Sequence, residues 1–122
     1  MKVIETKKAP AAIGPYSQGY VAGDFVFTSG QIGVDPATGE APEGIEAQAE
    51  LSCKNVAAVL EAGGSDLTKV IKTTCFIADM GDFAAFNKVY EKYFTGKPAR
   101  SCVAVKTLPK NLLCEIEAVA EK

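Results

Sequence analysis

The sequence predicts a single α+β domain, residues 1–122, in which two helices lie on one face of a mixed β-sheet. Three observations predict it. The 122 residues, 48% hydrophobic and 23% charged, suit one globular core. Period-two alternation dominates both ends of the chain, and segments of helical period stand between them. The resulting order, β-β-β-α-β-α-β-β, is that of helices gathered on one side of a sheet.

The elements follow in turn. "VIET", after Lys2, is a short strand, and "APAAIGPYSQ", with two prolines and a glycine, is an irregular connection. "QGYVAGDFVFTSGQIGV" reads as two β-rich arms around the turn "AGD". "DPATGEAPEG" is a loop punctuated by Pro36, Gly39, Pro42 and Gly44. A helix begins near Ile45, where Ile45, Ala49, Cys53, Val56 and Leu60 form one apolar stripe. Gly63–Gly64 ends it. "KVIKTTCFIAD" is a strand rich in β-branched residues. "GDFAAFNKVYEKYFTG" is the second helix, with Asp82 as its expected N-cap and Phe83, Phe86, Tyr90 and Tyr93 on or near its buried side. "RSCVAV" and "LLCEIEAVA" are the last two strands, separated by "KTLPKN".

Composition excludes several functions. No apolar run approaches the roughly 20 residues of a membrane span. The N-terminal stretch has no apolar h-region, so a cytoplasmic protein without membrane contact is the expectation. The net charge of −2 and scattered lysines disfavour nucleic acid as a partner. The four cysteines, Cys53, Cys75, Cys102 and Cys114, contain no C-x-x-C pair and read as free, mostly buried thiols. The most restrictive fact is that the chain has no histidine. Ser-His-Asp and Cys-His nucleophiles, His-based metal sites and the usual neutral-pH base are all removed. Neither metal nor cofactor is expected.

Side chains alternate across a strand. Arg100, Cys102 and Ala104 share one face, and Ser101, Val103 and Val105 the other. On the last strand Cys114, Ile116, Ala118 and Ala120 share a face, with Leu113, Glu115, Glu117 and Val119 opposite. The expectation is that Val103/Val105 and Ile116/Ala118 face the helices, so that Arg100 and Glu115 both project from the uncovered side. Two helices cannot cover both faces of such a sheet, and another subunit could cover the second. From alternation alone two readings stay open. Arg100 and Glu115 are ordinary solvated charges, or they form a shared site in a cleft at such an interface. Tyr16 is a packing residue or a cleft residue. Ser29 and Gly30 at a strand end serve a turn, or Gly30 offers an N–H to an anion. Cys102 has no base beside it and reads as a small core residue rather than a nucleophile.

The stretches "APAAIGPYSQGY", "VFTSGQIGVDPATGE", "NVAAVLEAGGSDLTKVIKTTCFIADMGDFAAFNKVYEKYF", "PARSCVAV" and "LPKNLLCEIEAVA" cover essentially the whole chain. Together they resemble the RidA/YjgF family of reactive-intermediate deaminases. The resemblance implies a chorismate-mutase-like (YjgF-like) α+β fold, assembled as a homotrimer with clefts between subunits. It implies that Arg100 binds the substrate carboxylate and Glu115 holds or activates water. Tyr16, Ser29, Gly30 and Cys102 correspond to cleft-lining positions, and Phe83 to an aromatic residue contributed by a neighbouring subunit. One departure stands in "FTGKPARS", a short link with Lys97 where many relatives carry a longer one with an aromatic residue.

The implied reaction is hydrolysis of 2-imino acids, formed from enamines such as 2-aminoacrylate, to 2-keto acids and ammonia. The imine carbon is already electrophilic, so neither a covalent nucleophile nor a histidine is needed. Arginine supplies the planar two-pronged donor that a carboxylate fits, and a glutamate can orient water and carry a proton. Two other classes stand beside it: a ligand-binding or chaperone-like trimer without turnover, and a ribonuclease or translation inhibitor.

Overall fold

A computed structural model of the chain describes residues 2–122. Strands β1 (Lys2–Ile4), β2 (Gly19–Ala22) and β3 (Phe25–Thr28) form an antiparallel meander. The β2–β3 turn has two residues, Gly23 and Asp24, and Gly23 takes a φ of 59°. That left-handed conformation costs glycine nothing and suits a tight hairpin. The chain then passes through β4 (Gln31–Ile32), helix α1 (Ile45–Ala62), β5 (Val70–Ile77), helix α2 (Phe83–Tyr93), β6 (Ala99–Ala104) and β7 (Cys114–Glu121). The sheet order is β1-β2-β3-β7-β5-β6, with β4 also paired to β7. Among the described residues only β5 and β6 are parallel, joined through α2, so the sheet is mixed as the sequence predicts.

The second hairpin arm is broken rather than continuous. Phe27 pairs with Val119 and Gln31 with Ile116. Four steps along one strand match three along the other, so one residue is extra. The result is a β-bulge at Ser29–Gly30, and it divides β3 from β4. Thr28 fills the interrupted ladder, its Oγ1 accepting from the Ala118 N–H at 3.0 Å.

Helix α1 buries the predicted stripe: Ala49, Cys53, Val56 and Leu60 are fully enclosed. It closes at Gly64, with φ 90°, where the Ser65 N–H reaches Leu60 O at 2.9 Å. This is a Schellman-type end. The expected Asp82 cap is borne out in position only. Asp82 precedes α2 but makes no side-chain capping bond. A 3-10 turn, Met80–Asp82, already leads into the helix, and the Asp79 carboxylate accepts from the Gly81 N–H at 2.8 Å. Asp82 lies inside that turn, whose own entry Asp79 caps.

Both helices pack on the same sheet face. Val56, Val59, Leu60, Phe86 and Phe94 meet Val26, Cys75, Ile77 and Ile116, all buried. Each such burial stabilises by roughly 1.5–3 kcal/mol, so this single layer holds the domain together. The opposite face is uncovered and mixed: Val3, Tyr20, Phe25, Phe27 and Val103, between 40% and 51% exposed, stand with Lys72, Thr74, Ser101 and Glu117. Among the described residues no helix is long and apolar enough to cross a membrane.

Candidate active site

The parallel β5–β6 register decides where Arg100 points. Thr73, Cys75 and Ile77 lie under the helices, completely buried. Their partners across the ladder are Arg100, Cys102 and Ala104. Paired residues in a ladder share a face, so this set faces the helices and Ser101 and Val103 face outward. The expectation for β6 is therefore overturned. Val103 stands 47% exposed on the open face, placed there by its register opposite Phe76. For β7 the expectation holds: Cys114, Ile116, Ala118 and Ala120 are buried under the helices and Glu115 faces the other way.

Arg100 lies along one face of α2. Its Nη1 donates to Asn87 Oδ1 at 2.8 Å. The guanidinium carbon sits 4.7 Å from the ring centroid of Tyr90 and 5.4 Å from that of Phe83. Phe83, Asn87 and Tyr90 are spaced i, i+4 and i+7, one stripe of the helix. Cys102, two residues along β6, stands on the same face and packs against the core. Burial raises its thiol pKa, opposed only by Arg100. Burial likewise pushes Cys75 and Cys114 up to about 12. All four thiols are free. At Cys102 and Cys75 burial outweighs the neighbouring Arg100, so neither is held as a thiolate.

Glu115 is built on the other side of the sheet. It pairs with Ile32 of β4 and with Phe76 of β5. Its carboxylate rests against Gly30 in the bulge, where a Cβ would collide with Oε2. The bulge is tied to the preceding loop: Ser29 Oγ donates to Ser17 O at 2.6 Å, and the Ser29 N–H donates to Gln18 O at 2.8 Å. Tyr16 precedes Ser17 in that loop and is 53% exposed. Glu115 is half-buried and its pKa is raised, first by desolvation and second by the charge of Glu117. Among the described residues nothing hydrogen-bonds its carboxylate.

Within one chain, then, the candidates fall into two groups. Arg100, Cys102 and Phe83 stand together on the helix side. Glu115, Gly30, Ser29 and the Tyr16 loop stand together on the other. A concavity of about 830 Å³ is lined by Ile4, Thr6, Ala9, Tyr16, Gln18 and Ala37 among others, and includes neither Arg100 nor Glu115. Among the described residues no group of three or more Cys, Asp or Glu side chains converges closely enough to hold a metal ion.

The family model described as endoribonuclease L-PSP matches residues 6–122. The chain belongs to the RidA/YjgF family. It is 51% identical to the 2-iminobutanoate/2-iminopropanoate deaminase of Escherichia coli (strain K12), over 98% of this chain and 96% of that protein. Its fold is that of solved RidA/YjgF structures. The crystal structure of Escherichia coli TdcF with bound serine superposes with a TM-score of 0.96 at 50% identity, covering 100% of this chain and 99% of that one. The crystal structure of the YjgF gene product of the same organism gives 0.96 at 49% identity, with the same coverage. A RidA/YjgF chain with this fold is an α+β domain with both helices on one sheet face.

The sequence reading missed Asn87 and gave Tyr90 only a packing role. A signal existed: an asparagine at i+4 from Phe83, on the face that points toward the following strand. Helix periodicity alone does not say that an arginine will lie across that face.

Proposed function

We propose that this chain is a 2-iminobutanoate/2-iminopropanoate-type deaminase, hydrolysing small 2-imino acids to 2-keto acids and ammonia. It works as a cytoplasmic homotrimer, with each cleft formed between two subunits. Arg100, Phe83 and Cys102 come from one subunit, and Glu115, Gly30, Ser29 and Tyr16 from its neighbour. The observation that carries the reading is the separation of Arg100 from Glu115 on opposite faces of one sheet, in a chain whose relatives are named as imine deaminases. Neither group can serve one small substrate alone, and a neighbouring copy supplies the missing half. The exposed apolar side chains on the uncovered face, Val3, Tyr20, Phe25, Phe27 and Val103, support the assembly. Patches of this kind mark interaction surfaces, and a cyclic oligomer covers each copy's patch in the same way. The free cysteines suit a reducing compartment.

The residues account for the chemistry. The substrate carboxylate pairs with the Arg100 guanidinium through charge-assisted bonds. That contact places the iminium carbon against water held by Glu115. Water adds its oxygen to the carbon while Glu115 takes the proton. The C=N π pair moves to nitrogen, giving a carbinolamine. Glu115 returns the proton to nitrogen and the C–N bond breaks; the hydroxyl collapses to the ketone as Glu115 takes its proton, which then passes to the departing ammonia. Overall, iminium and water become keto acid and ammonium. Bound serine in TdcF, a small 2-amino acid, fits the same size of ligand. A ribonuclease reading lacks a histidine and a basic surface to support it.

The test is release of ammonia and 2-keto acid from freshly generated 2-imino acids, combined with subunit mixing. Arg100→Ala and Glu115→Gln chains are each expected to be inactive or strongly impaired. Unfolded and refolded together at equal amounts, they should regain about a quarter of wild-type activity, because random assortment gives that share of clefts both intact residues. No recovery on mixing sinks the shared cleft. A monomer mass by light scattering at micromolar concentration sinks the trimer.

A further inference from the structure

Arg100 is held far more tightly than an anion-binding arginine on an edge strand needs to be for folding. Its side chain is fixed at the edge by Asn87, at 2.8 Å, and across its plane by Tyr90 and Phe83. Tyr90 is fixed in turn. Its hydroxyl shares a hydrogen bond with Thr73 Oγ1 at 2.7 Å, and its ring stacks on Phe94 at 4.4 Å. Thr73 and Phe94 belong to the closed core. The restraint therefore runs from the core, through one ring, to the guanidinium.

We propose that Asn87 and Tyr90 are positioning residues for the substrate carboxylate, acting through Arg100. The inference rests on the reading of Arg100 as the carboxylate's partner and goes beyond it. A long unrestrained side chain loses rotamer freedom each time it binds an anion; one already immobilised does not. The choice of asparagine is chemically specific. Its amide oxygen accepts one guanidinium N–H and leaves four of the five free for substrate. It carries no charge, so the cation is oriented without being neutralised. An aspartate at the same place would also orient it, but would compete with the substrate for the charge. The aromatic faces act similarly. They attract the cation through their quadrupole and occupy none of its in-plane N–H groups.

The experiment measures kcat and KM on 2-iminopropanoate, and the affinity for pyruvate by calorimetry, with melting temperature and trimer mass alongside. Asn87→Ala is expected to raise both KM and the pyruvate Kd by roughly tenfold, with kcat within about twofold of wild type. A residue needed only for folding would lower the active fraction, so kcat would fall at constant KM. Asn87→Asp keeps the melting temperature and raises KM more than Asn87→Ala does. Tyr90→Phe keeps the ring face but loses the Thr73 bond, so it raises KM less than Tyr90→Leu does. On an Arg100→Lys background, Asn87→Ala should change the pyruvate Kd by less than about twofold, because the group it orients is gone. Wild-type KM and pyruvate affinity in both Asn87→Ala and Asn87→Asp, with pyruvate binding abolished in Arg100→Ala, overturn the positioning role alone. Wild-type pyruvate affinity in Arg100→Ala overturns the reading of Arg100, and this inference with it.

Discussion

Around Arg100 every contact comes from regular structure: one edge strand and one stripe of α2, spaced i, i+4 and i+7. Around Glu115 the backbone is irregular: a β-bulge, a glycine pressed against the carboxylate, and a loop tied to the bulge through Ser29. The cation is satisfied in orientation but keeps free N–H groups. The carboxylate is half-desolvated and has no hydrogen-bonding partner among the described residues. The difference teaches how a single chain can carry two unfinished halves of a site. On the proposed reading the arginine half needs rigidity, because it would fix where the substrate lies, and packed helix and strand provide it. The glutamate half needs close approach and room for water, and bulged backbone with glycine provides that.

This comparison can be broken first at the cation. Arg100→Ala removes the only planar two-pronged donor of its half. The loss of a charge-assisted pair in a partly desolvated cleft is expected to cost on the order of 2–5 kcal/mol. That corresponds to roughly 30-fold to several thousand-fold in kcat/KM. Arg100→Lys should also be severely impaired, since an ammonium fixes charge but not orientation. Initial-rate kinetics with the mass of each variant checked decide it; near wild-type kcat/KM in Arg100→Ala would make the residue a mere strand-edge charge.

The carboxylate half breaks at the glycine. In Gly30→Ala the new methyl meets the Glu115 side chain, Oε2 first with Cδ and Cγ behind it. The fold should survive and the carboxylate should move. A displacement of this size is expected to lower kcat by roughly 10- to 100-fold, with a melting temperature close to wild type. Unchanged kcat there would show that Glu115 is not held by the bulge.

A smaller effect sharpens the electrostatics. Burial and Glu117 both raise the Glu115 pKa. A mechanism that uses ionised Glu115 loses kcat/KM as pH falls through that raised pKa, which lies above the ordinary carboxylate value. Glu117→Gln removes one of the two causes, so the acid limb should move to lower pH. Glu117 is exposed, so the shift should be modest and should shrink further with added salt. An acid limb that stays in place in the variant at low salt would remove Glu117 from the account.

The smallest effect is expected at Cys102. It stands beside Arg100 on the same face, but burial holds its thiol protonated and the chain has no histidine to activate it. Cys102→Ser should keep substantial activity. Inactivation as complete as in Arg100→Ala would assign the thiol a covalent role.

Much of this was legible in the chain itself. The α1 stripe, the glycine pair that ends it, the hairpin turn at Gly23 and the β-branched β5 each follow from local preferences, and each stands where the periodicity placed it. The division of labour on β7 was also legible, because Ile116 and Ala118 against Glu115 and Glu117 is an unambiguous alternation. Asp82 stands at the cap position without a capping bond, because the 3-10 turn before it, capped by Asp79, leaves little signature in residue types. Asn87 was missed because its partner is 13 residues away across a crossover.

By itself the sequence determined the elements, their order, the absence of histidine, and the pairing of an arginine and a glutamate on the two closing strands. Only the tertiary structure decided that these two side chains stand on opposite faces. The physical reason is that alternation sorts a strand's residues into two sets without saying which set faces the helices. On β6 both sets are mixed, Arg/Cys/Ala against Ser/Val/Val, so hydrophobicity does not choose between them. The choice is made by register against β5, where Thr73, Cys75 and Ile77 are buried, and by the stripe of α2 that receives the guanidinium.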